Sequence, residues 1–170
     1  MRPVPESTVN RLHLAVVAVV VWLVGTSPWV AMLRRVPSGA GWFDRAHVVL
    51  GFAGLVLGVA YAIACLGGGG WRSLFPWLSG GLGAVGRDVV GLLRGRVPAA
   101  EGGGLYAMIE GLLLVALLVA GATGGAWYLS HGGASALAWR AVHVASAQVL
   151  MGFVVLHVLA VASHLLDLAR

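Results

Sequence analysis

The chain contains no lysine and few acidic residues, and charged residues make up only 10% of its 170 residues. An ordinary soluble domain has about 25% charged residues. The low charge, together with 59% hydrophobic residues and a mean hydropathy of +0.92, excludes that class. The chain is therefore predicted to lie in a lipid bilayer.

Cysteine is almost absent as well. The single residue, Cys65, excludes an internal disulfide, a Cys-x-x-Cys redox pair and the Cys-x-x-Cys-His signature of covalent haem attachment. The sequence also lacks a phosphate-binding glycine loop, a nucleophile elbow, a pair of catalytic carboxylates and a zinc signature.

The positive charge comes from 11 arginines, which give a net charge of +5. These arginines cluster between the apolar runs, a distribution typical of side chains that anchor a protein at the membrane surface and meet anionic lipid. No motif for reading a nucleic-acid groove is present. We therefore expect membrane lipid as a partner and no nucleic acid.

Four apolar segments are long enough to cross a bilayer, since a helix needs about 20 mainly apolar residues to do so. They predict an all-α integral membrane four-helix bundle that forms a single domain over residues 1–170. The segment between the second and third spans is predicted to be a cytoplasmic loop with a short amphipathic helix, because apolar residues recur in it at helical spacing. The predicted spans are 9–33, 45–66, 105–130 and 137–168, the loop is 67–104, and its recurring apolar residues are Leu82, Val85, Val89 and Leu92.

The arginines also predict the orientation of the chain, because cytoplasmic flanks carry more positive charge than the opposite flanks. An N-terminus in the cytoplasm places seven arginines inside and four outside, so both termini are predicted to be cytoplasmic. The inside set is Arg2, Arg11, Arg72, Arg87, Arg94, Arg96 and Arg170, and the outside set is Arg34, Arg35, Arg45 and Arg140.

Among the histidines inside the predicted spans, four stand out: His13, His47, His143 and His157. His143 and His157 are 14 residues apart on the fourth span, so their imidazoles share a helix face about 21 Å apart. The orientation places His13 and His157 at the same depth, near the cytoplasmic side, and we name these two residues the first pair. It places His47 and His143 at the same depth, near the opposite side, and we name these two residues the second pair.

An imidazole in the hydrocarbon region is costly and needs a partner. Two stacked haem groups, each held between two imidazoles, would supply partners for all four histidines. One zinc or copper site is excluded, because metal ligands must converge within a few ångströms. Imidazoles that only bond neighbouring helices, in a haem-free structural or transport protein, are the alternative.

Three glycines share the helix face of His47: Gly51, Gly54 and Gly58. Without side chains they would leave room for a porphyrin. Gly54 and Gly58 also form a small-xxx-small pair, which is typical of close helix packing. Both interpretations are open.

An arginine precedes three of the histidines by two or three residues: Arg11, Arg45 and Arg140. A guanidinium group at the membrane edge could bond a haem propionate. The alternative is that these arginines only mark where the helices leave the lipid.

The arrangement of His13, His47, His143 and His157 over four spans resembles the prokaryotic di-haem cytochrome b561 family. That family includes the free-standing bacterial cytochrome b561 and the cytochrome b subunits of formate dehydrogenase and nickel-iron hydrogenase. The resemblance covers essentially the whole chain. It implies two b haems, with His13 and His157 as axial ligands of one, and His47 and His143 as axial ligands of the other.

The resemblance implies a protein of the bacterial cytoplasmic (inner) membrane that carries electrons between the quinone pool and an outer-face redox protein subunit. A self-contained superoxide:quinone oxidoreductase is the alternative that it leaves open. Glu110 and His164 are candidates for handling protons at a quinone site. The alternative for each is an interfacial side chain with its polar tip in water.

Overall fold

A computed structural model describes residues 4–67, 70–98 and 104–168, and it describes residues 166–168 by their backbone alone. Arg2 and Arg170, which enter the orientation count, lie outside the described residues. So do residues 68–69 and 99–103 of the predicted loop.

Every regular element in the described residues is helical. A short 3-10 turn, Ser27–Trp29, follows the first helix. The helices are α1 (Glu6–Thr26), α2 (Trp42–Leu66), α3 (Trp71–Leu74), α4 (Pro76–Ser79), α5 (Leu82–Leu93), α6 (Leu105–Leu129) and α7 (Ala136–Leu168).

Within the described ranges, four helices are long and apolar enough to cross a membrane: α1 with its 3-10 turn, α2, α6 and α7. Large apolar side chains on them point outward, and Val56 and Leu14 are 69% and 68% exposed. Helices with such surfaces are stable in lipid rather than in water. The chain is therefore a multi-pass membrane protein in contact with lipid, and the predicted fold class is confirmed.

The first helix is shorter than its predicted span, which runs to residue 33. α1 ends at Thr26 because Pro28 has no N–H to continue the ladder of hydrogen bonds, and the residue before a proline disfavours helical geometry. The Val24 carbonyl, which would otherwise pair with residue 28, accepts a bond from the Ser27 hydroxyl instead (2.9 Å). The chain then leaves the helix as a bend.

The bend over residues 30–35 crosses one end of the bundle, opposite the end where the chain begins. Backbone groups outside a helix need hydrogen-bond partners near lipid, and side chains of α2, α6 and α7 provide them. Ala31 N–H donates to the Asp44 carboxylate (3.0 Å), Trp127 Nε1–H donates to the Leu33 carbonyl (2.9 Å), and Arg140 Nε–H donates to the Met32 carbonyl (2.8 Å).

The bundle core lies where α1, α6 and α7 meet, and α2 packs beside both α1 and α6. Small and branched side chains fill this core, as is usual where membrane helices approach closely. Its buried members are Val20, Ala116, Leu117, Ala120 and Leu150.

Two glycines on α2 lie at close contacts with neighbouring helices. A Cβ atom added at Gly54 would lie 3.1 Å from Val19 Cγ1 of α1, and one added at Gly58 would lie 3.2 Å from Leu117 Cδ2 of α6. Both distances are shorter than ordinary van der Waals contact. The absence of side chains at these two positions therefore allows α2 to pack closely on both neighbours.

The segment between α2 and α6 includes the amphipathic helix α5. Val85 is buried, and the Asp88 carboxylate accepts a hydrogen bond from the Leu105 N–H (2.8 Å), which caps the start of α6. The other three apolar residues that predicted this helix remain 42–54% exposed. The helix thus packs on the bundle by a narrow face.

Candidate functional site

The two helices that carry the first pair bring its imidazoles close to each other. His13 lies near the start of α1, and His157 lies two thirds of the way along α7. Because α1 and α7 run in opposite directions, both residues lie at the end of the bundle where the chain begins. Their ring centroids are 6.3 Å apart, with the ring planes inclined at 46°.

The second pair lies at the opposite end of the bundle, below the 30–35 bend. His47 is near the start of α2 and His143 is near the start of α7, and their ring centroids are also 6.3 Å apart, with the planes inclined at 78°. The four predicted histidines are thus brought together as two separate pairs, in the combinations expected from their depth.

The separation within each pair matches two imidazoles on opposite sides of one metal ion. A ligating imidazole nitrogen lies about 2 Å from a transition metal, and the ring centroid is about 1 Å farther away, so two such centroids are about 6 Å apart. Among the described residues no cluster of three or more His, Cys, Asp or Glu side chains could hold a metal ion. The remaining ligands of an ion at either pair would have to come from a cofactor, and a porphyrin supplies four nitrogens.

A hydrogen bond to α6 orients His143. Its Nδ1 lies 2.9 Å from the Ala120 carbonyl oxygen, which only accepts, so Nδ1 carries the proton and donates. The proton-free nitrogen of the neutral ring is then Nε2, the atom available to a metal. The buried Thr123 hydroxyl lies 3.5 Å from the same Nδ1 and bonds the Ala120 carbonyl at 3.0 Å.

Tyr61 of α2 holds the corresponding position beside the first pair. Its hydroxyl oxygen lies 3.2 Å from His13 Nδ1, and the two rings meet edge to face with centroids 5.6 Å apart. The imidazoles of His13 and His143 are therefore both oriented through Nδ1, one by a phenol and the other by a backbone carbonyl.

A cavity of about 420 Å³ opens between the four long helices at the second pair. This volume falls in the range of cofactor sites, about 300–1,000 Å³. His47 and His143 both line it, and a Cβ atom added at Gly51, which also lines it, would meet no other atom within 4 Å. Among the described residues His47 Nδ1 is buried without a hydrogen-bond partner. An unpaired imidazole nitrogen beside an apolar cavity fits a site for a flat, metal-bearing cofactor.

The three predicted arginines are placed differently. Arg11 and Arg45 are exposed, whereas Arg140 is half-buried and lines the cavity beside the second pair. Its Nε already bonds the Met32 carbonyl. Of the three, Arg140 is therefore the one at the cavity wall.

Glu110 and His164 both lie at the bundle end of the first pair. Glu110 is exposed at the start of α6, and His164 is half-buried seven residues beyond His157 on α7. A hydrogen bond between Tyr106 Oη and Ser163 Oγ (2.9 Å) joins α6 to α7 next to them. Both polar residues thus flank the contact between these helices.

Sequence reasoning missed Tyr61 as a partner of the site, although a signal was available. Tyr61 follows His47 by 14 residues, the same spacing that relates His143 to His157, so it shares the face of His47 near the other pair. The Ala120 carbonyl gave no signal, because every residue carries a backbone carbonyl.

The fold and the two facing imidazole pairs define a class of protein: a membrane-spanning helical bundle built to hold cofactors between its helices. A family model described as prokaryotic cytochrome b561 matches residues 6–168, which include all four long helices up to Leu168 and all four paired histidines. The chain belongs to the prokaryotic cytochrome b561 family. It is therefore a membrane cytochrome that binds b-type haem and transfers electrons. No curated protein and no solved structure matches the chain.

Proposed function

We propose that the protein holds two b haems, one ligated by His13 and His157 and the other by His47 and His143. The observation that carries this proposal is the equal 6.3 Å separation of the two imidazole pairs at opposite ends of the bundle. Reversible one-electron chemistry is what a b-type haem supplies when bound. In both sites two imidazoles would fill the axial positions and so keep oxygen from the iron.

The residues around each pair would set its redox properties. Donation from His143 Nδ1 to the Ala120 carbonyl strengthens this imidazole as a ligand, and Tyr61 would act in the same way on His13. Gly51 would leave room for the macrocycle, with Gly54 and Gly58 farther along the same face. Arg11, Arg45 and Arg140 would pair with propionates, and Arg140 has the strongest support because it lines the cavity.

A glycine substitution tests the position of His143. In Gly124→Ala the new Cβ would lie 3.1 Å from both Cε1 and Nδ1 of the His143 ring, closer than ordinary contact. We expect the ring to shift and its bond to Ala120 to lengthen, so that one of two haem midpoint potentials changes in a redox titration. The control is Gly152→Ala on α7, the helix that carries His143. Its new Cβ would meet no atom within 4 Å, so both potentials should stay unchanged. An equal shift of both potentials in Gly124→Ala would argue against this local effect.

We further propose that the protein lies in the bacterial inner membrane with both termini in the cytoplasm, as the arginine distribution favours. The first pair would then lie near the cytoplasmic side and the second pair near the outer face. Electrons would pass between the quinone pool and a redox protein subunit at the outer face. Support for an outside partner comes from the described residues, which form the bundle and its connecting segments and no separate substrate-binding domain. Glu110 and His164 would handle quinone protons near the first pair.

A second candidate function is a self-contained superoxide:quinone oxidoreductase. The observation that favours it is the exposure of Arg34, Arg35 and Arg45 at the end of the bundle that holds the second pair. A cationic surface raises the local concentration of an anion such as superoxide and steers it to a site.

Purification from native membranes in mild detergent, followed by stopped-flow spectroscopy, tests the proposed function. The subunit role predicts a stoichiometric complex with a protein that carries its own redox centre, and slow haem reduction when superoxide is mixed with the isolated chain. Rapid superoxide-driven reduction of a chain that purifies alone would favour the second candidate. Haem that neither takes electrons from quinol nor gives electrons to quinone in either preparation would contradict both.

A further inference from the structure

The α5 helix has three distinct faces, and only one of them packs against the bundle. That face carries the buried Val85 and the half-buried Asp88, whose carboxylate accepts a hydrogen bond from the Leu105 N–H. Asp88 is the one acidic residue in α5. Its charge is therefore directed toward the start of α6, and the other two faces of α5 lack a negative charge from this helix.

The second face of α5 is a basic groove of about 550 Å³. Glycines and one valine make its floor, and three arginines stand around it, while no acidic side chain of the described residues is part of the lining. The residues that form this groove are Gly83, Gly86, Arg87, Val90, Gly91, Arg94 and Arg96.

The turn that ends α5 brings the third arginine into the groove. Arg96 N–H bonds the Gly91 carbonyl and Gly95 N–H bonds the Leu92 carbonyl, both at 2.9 Å, and Gly95 has a φ of +72°. This is the Schellman arrangement, which needs a residue in the left-handed conformation and so favours glycine. It turns the chain back until Arg96 Cβ lies 3.9 Å from where a Cβ of Gly91 would be. The groove is thus built by backbone geometry as well as by composition.

The third face of α5 is an exposed apolar stripe next to the groove. Leu82, Val89 and Leu93 recur at seven and eleven residues, so they lie on one side of the helix. They are 54%, 42% and 83% exposed. Because α5 is bonded to the start of α6, which is long and apolar enough to cross a membrane, we expect this stripe and the groove to lie where a bilayer changes from acyl chains to headgroups.

We propose that α5 is a binding site for an anionic phospholipid, with the phosphate held by Arg87, Arg94 and Arg96 and the acyl chains against the apolar stripe. Guanidinium groups form strong charge-assisted bonds with phosphate oxygens, and arginines at the membrane surface attract anionic lipid. Free phosphate would bind the same guanidinium groups but would make no contact with the apolar stripe. The proposal does not depend on the assignment of the haem ligands.

The test compares lipid retention by the haem-loaded full chain in nanodiscs of phosphatidylcholine that contain phosphatidylglycerol, with bound lipid measured by native mass spectrometry. Arg94→Gln with Arg96→Gln should weaken phosphatidylglycerol retention about 25-fold, from about fivefold per arginine. The matched control, Arg34→Gln with Arg35→Gln, removes the same charge at the other end of the bundle and should leave retention unchanged. Equal losses in both double variants would overturn the proposal.

A variant that keeps every charge separates a built site from general attraction. Gly95→Val disfavours the left-handed conformation, so Arg96 should leave the groove and retention should fall about fivefold, as for loss of one arginine. An unchanged haem spectrum would show that this variant is folded. Retention equal to that of the parent chain would show that net charge alone attracts lipid and would overturn the built site.

Competition with inorganic phosphate distinguishes the two sources of the phosphate group. We expect phosphate at the concentration of the lipid to leave the lipid bound, because it makes no contact with the apolar stripe. Displacement of phosphatidylglycerol by equimolar phosphate would mean that the groove is a site for the free anion, and would contradict the lipid proposal.

Discussion

Replacing His143 by alanine is expected to halve the haem content, from two haems per chain to one. The substitution removes one axial imidazole and the nitrogen that bonds the Ala120 carbonyl, and leaves His47 alone beside an apolar cavity. The first pair at the other end of the bundle is about 21 Å away along α7, so its haem should remain. That haem should still be reduced by quinol. Haem per polypeptide and a reduced-minus-oxidised spectrum measure both effects.

Two controls separate the loss of a ligand from damage to the fold. His131→Asn changes an exposed histidine with a φ of 46°, a conformation that asparagine tolerates, and should keep both haems. Added imidazole should enter the space left in His143→Ala and restore part of the missing haem. Loss of both haems from His143→Ala would mean that the two sites are coupled through folding rather than independent.

Replacing His157 by alanine is expected to remove the other haem, with a different effect on reduction. The first pair would lose the imidazole that faces His13, whereas His47 and His143 keep their 6.3 Å separation and should hold their haem. If quinol delivers electrons at the first pair, the remaining haem should be reduced by dithionite but no longer by quinol. The same titration of haem and quinol used for His143→Ala measures this difference.

The two variants together test the order of electron transfer more strictly than either variant alone. Equal haem loss with opposite responses to quinol supports two sites used in sequence. If quinol reduced the remaining haem of His157→Ala as fast as that of the parent chain, electrons would enter at the second pair, and the proposed positions of Glu110 and His164 beside the quinone site would be wrong.

Much of the architecture could be predicted from the sequence because lipid imposes a simple rule. Long apolar runs bounded by arginine give the four spanning helices, and the direction of each helix then fixes the depth of every histidine. This reasoning predicts that His13 lies near His157 and that His47 lies near His143, and the two ring pairs are each 6.3 Å apart in the structure. The depth argument works because it uses only helix rise and alternating direction.

Other features could not be predicted because they depend on three-dimensional contacts. The 30–35 bend is held by side chains from three helices, including Trp127 and Arg140, which lie far away in the sequence. The bond from His143 ends on a backbone carbonyl, which has no sequence signature. Spacing alone leaves the role of Gly54 open, whereas in the structure it lies against Val19.

The most direct test of the account is the haem-to-protein ratio of the purified full chain, measured together with the electron paramagnetic resonance spectrum of the oxidised protein. Two imidazole pairs predict two non-covalent b haems per chain, both six-coordinate and low-spin. A preparation saturated with haem that holds only one haem per chain, or that shows a high-spin haem with an open axial position, would contradict the account.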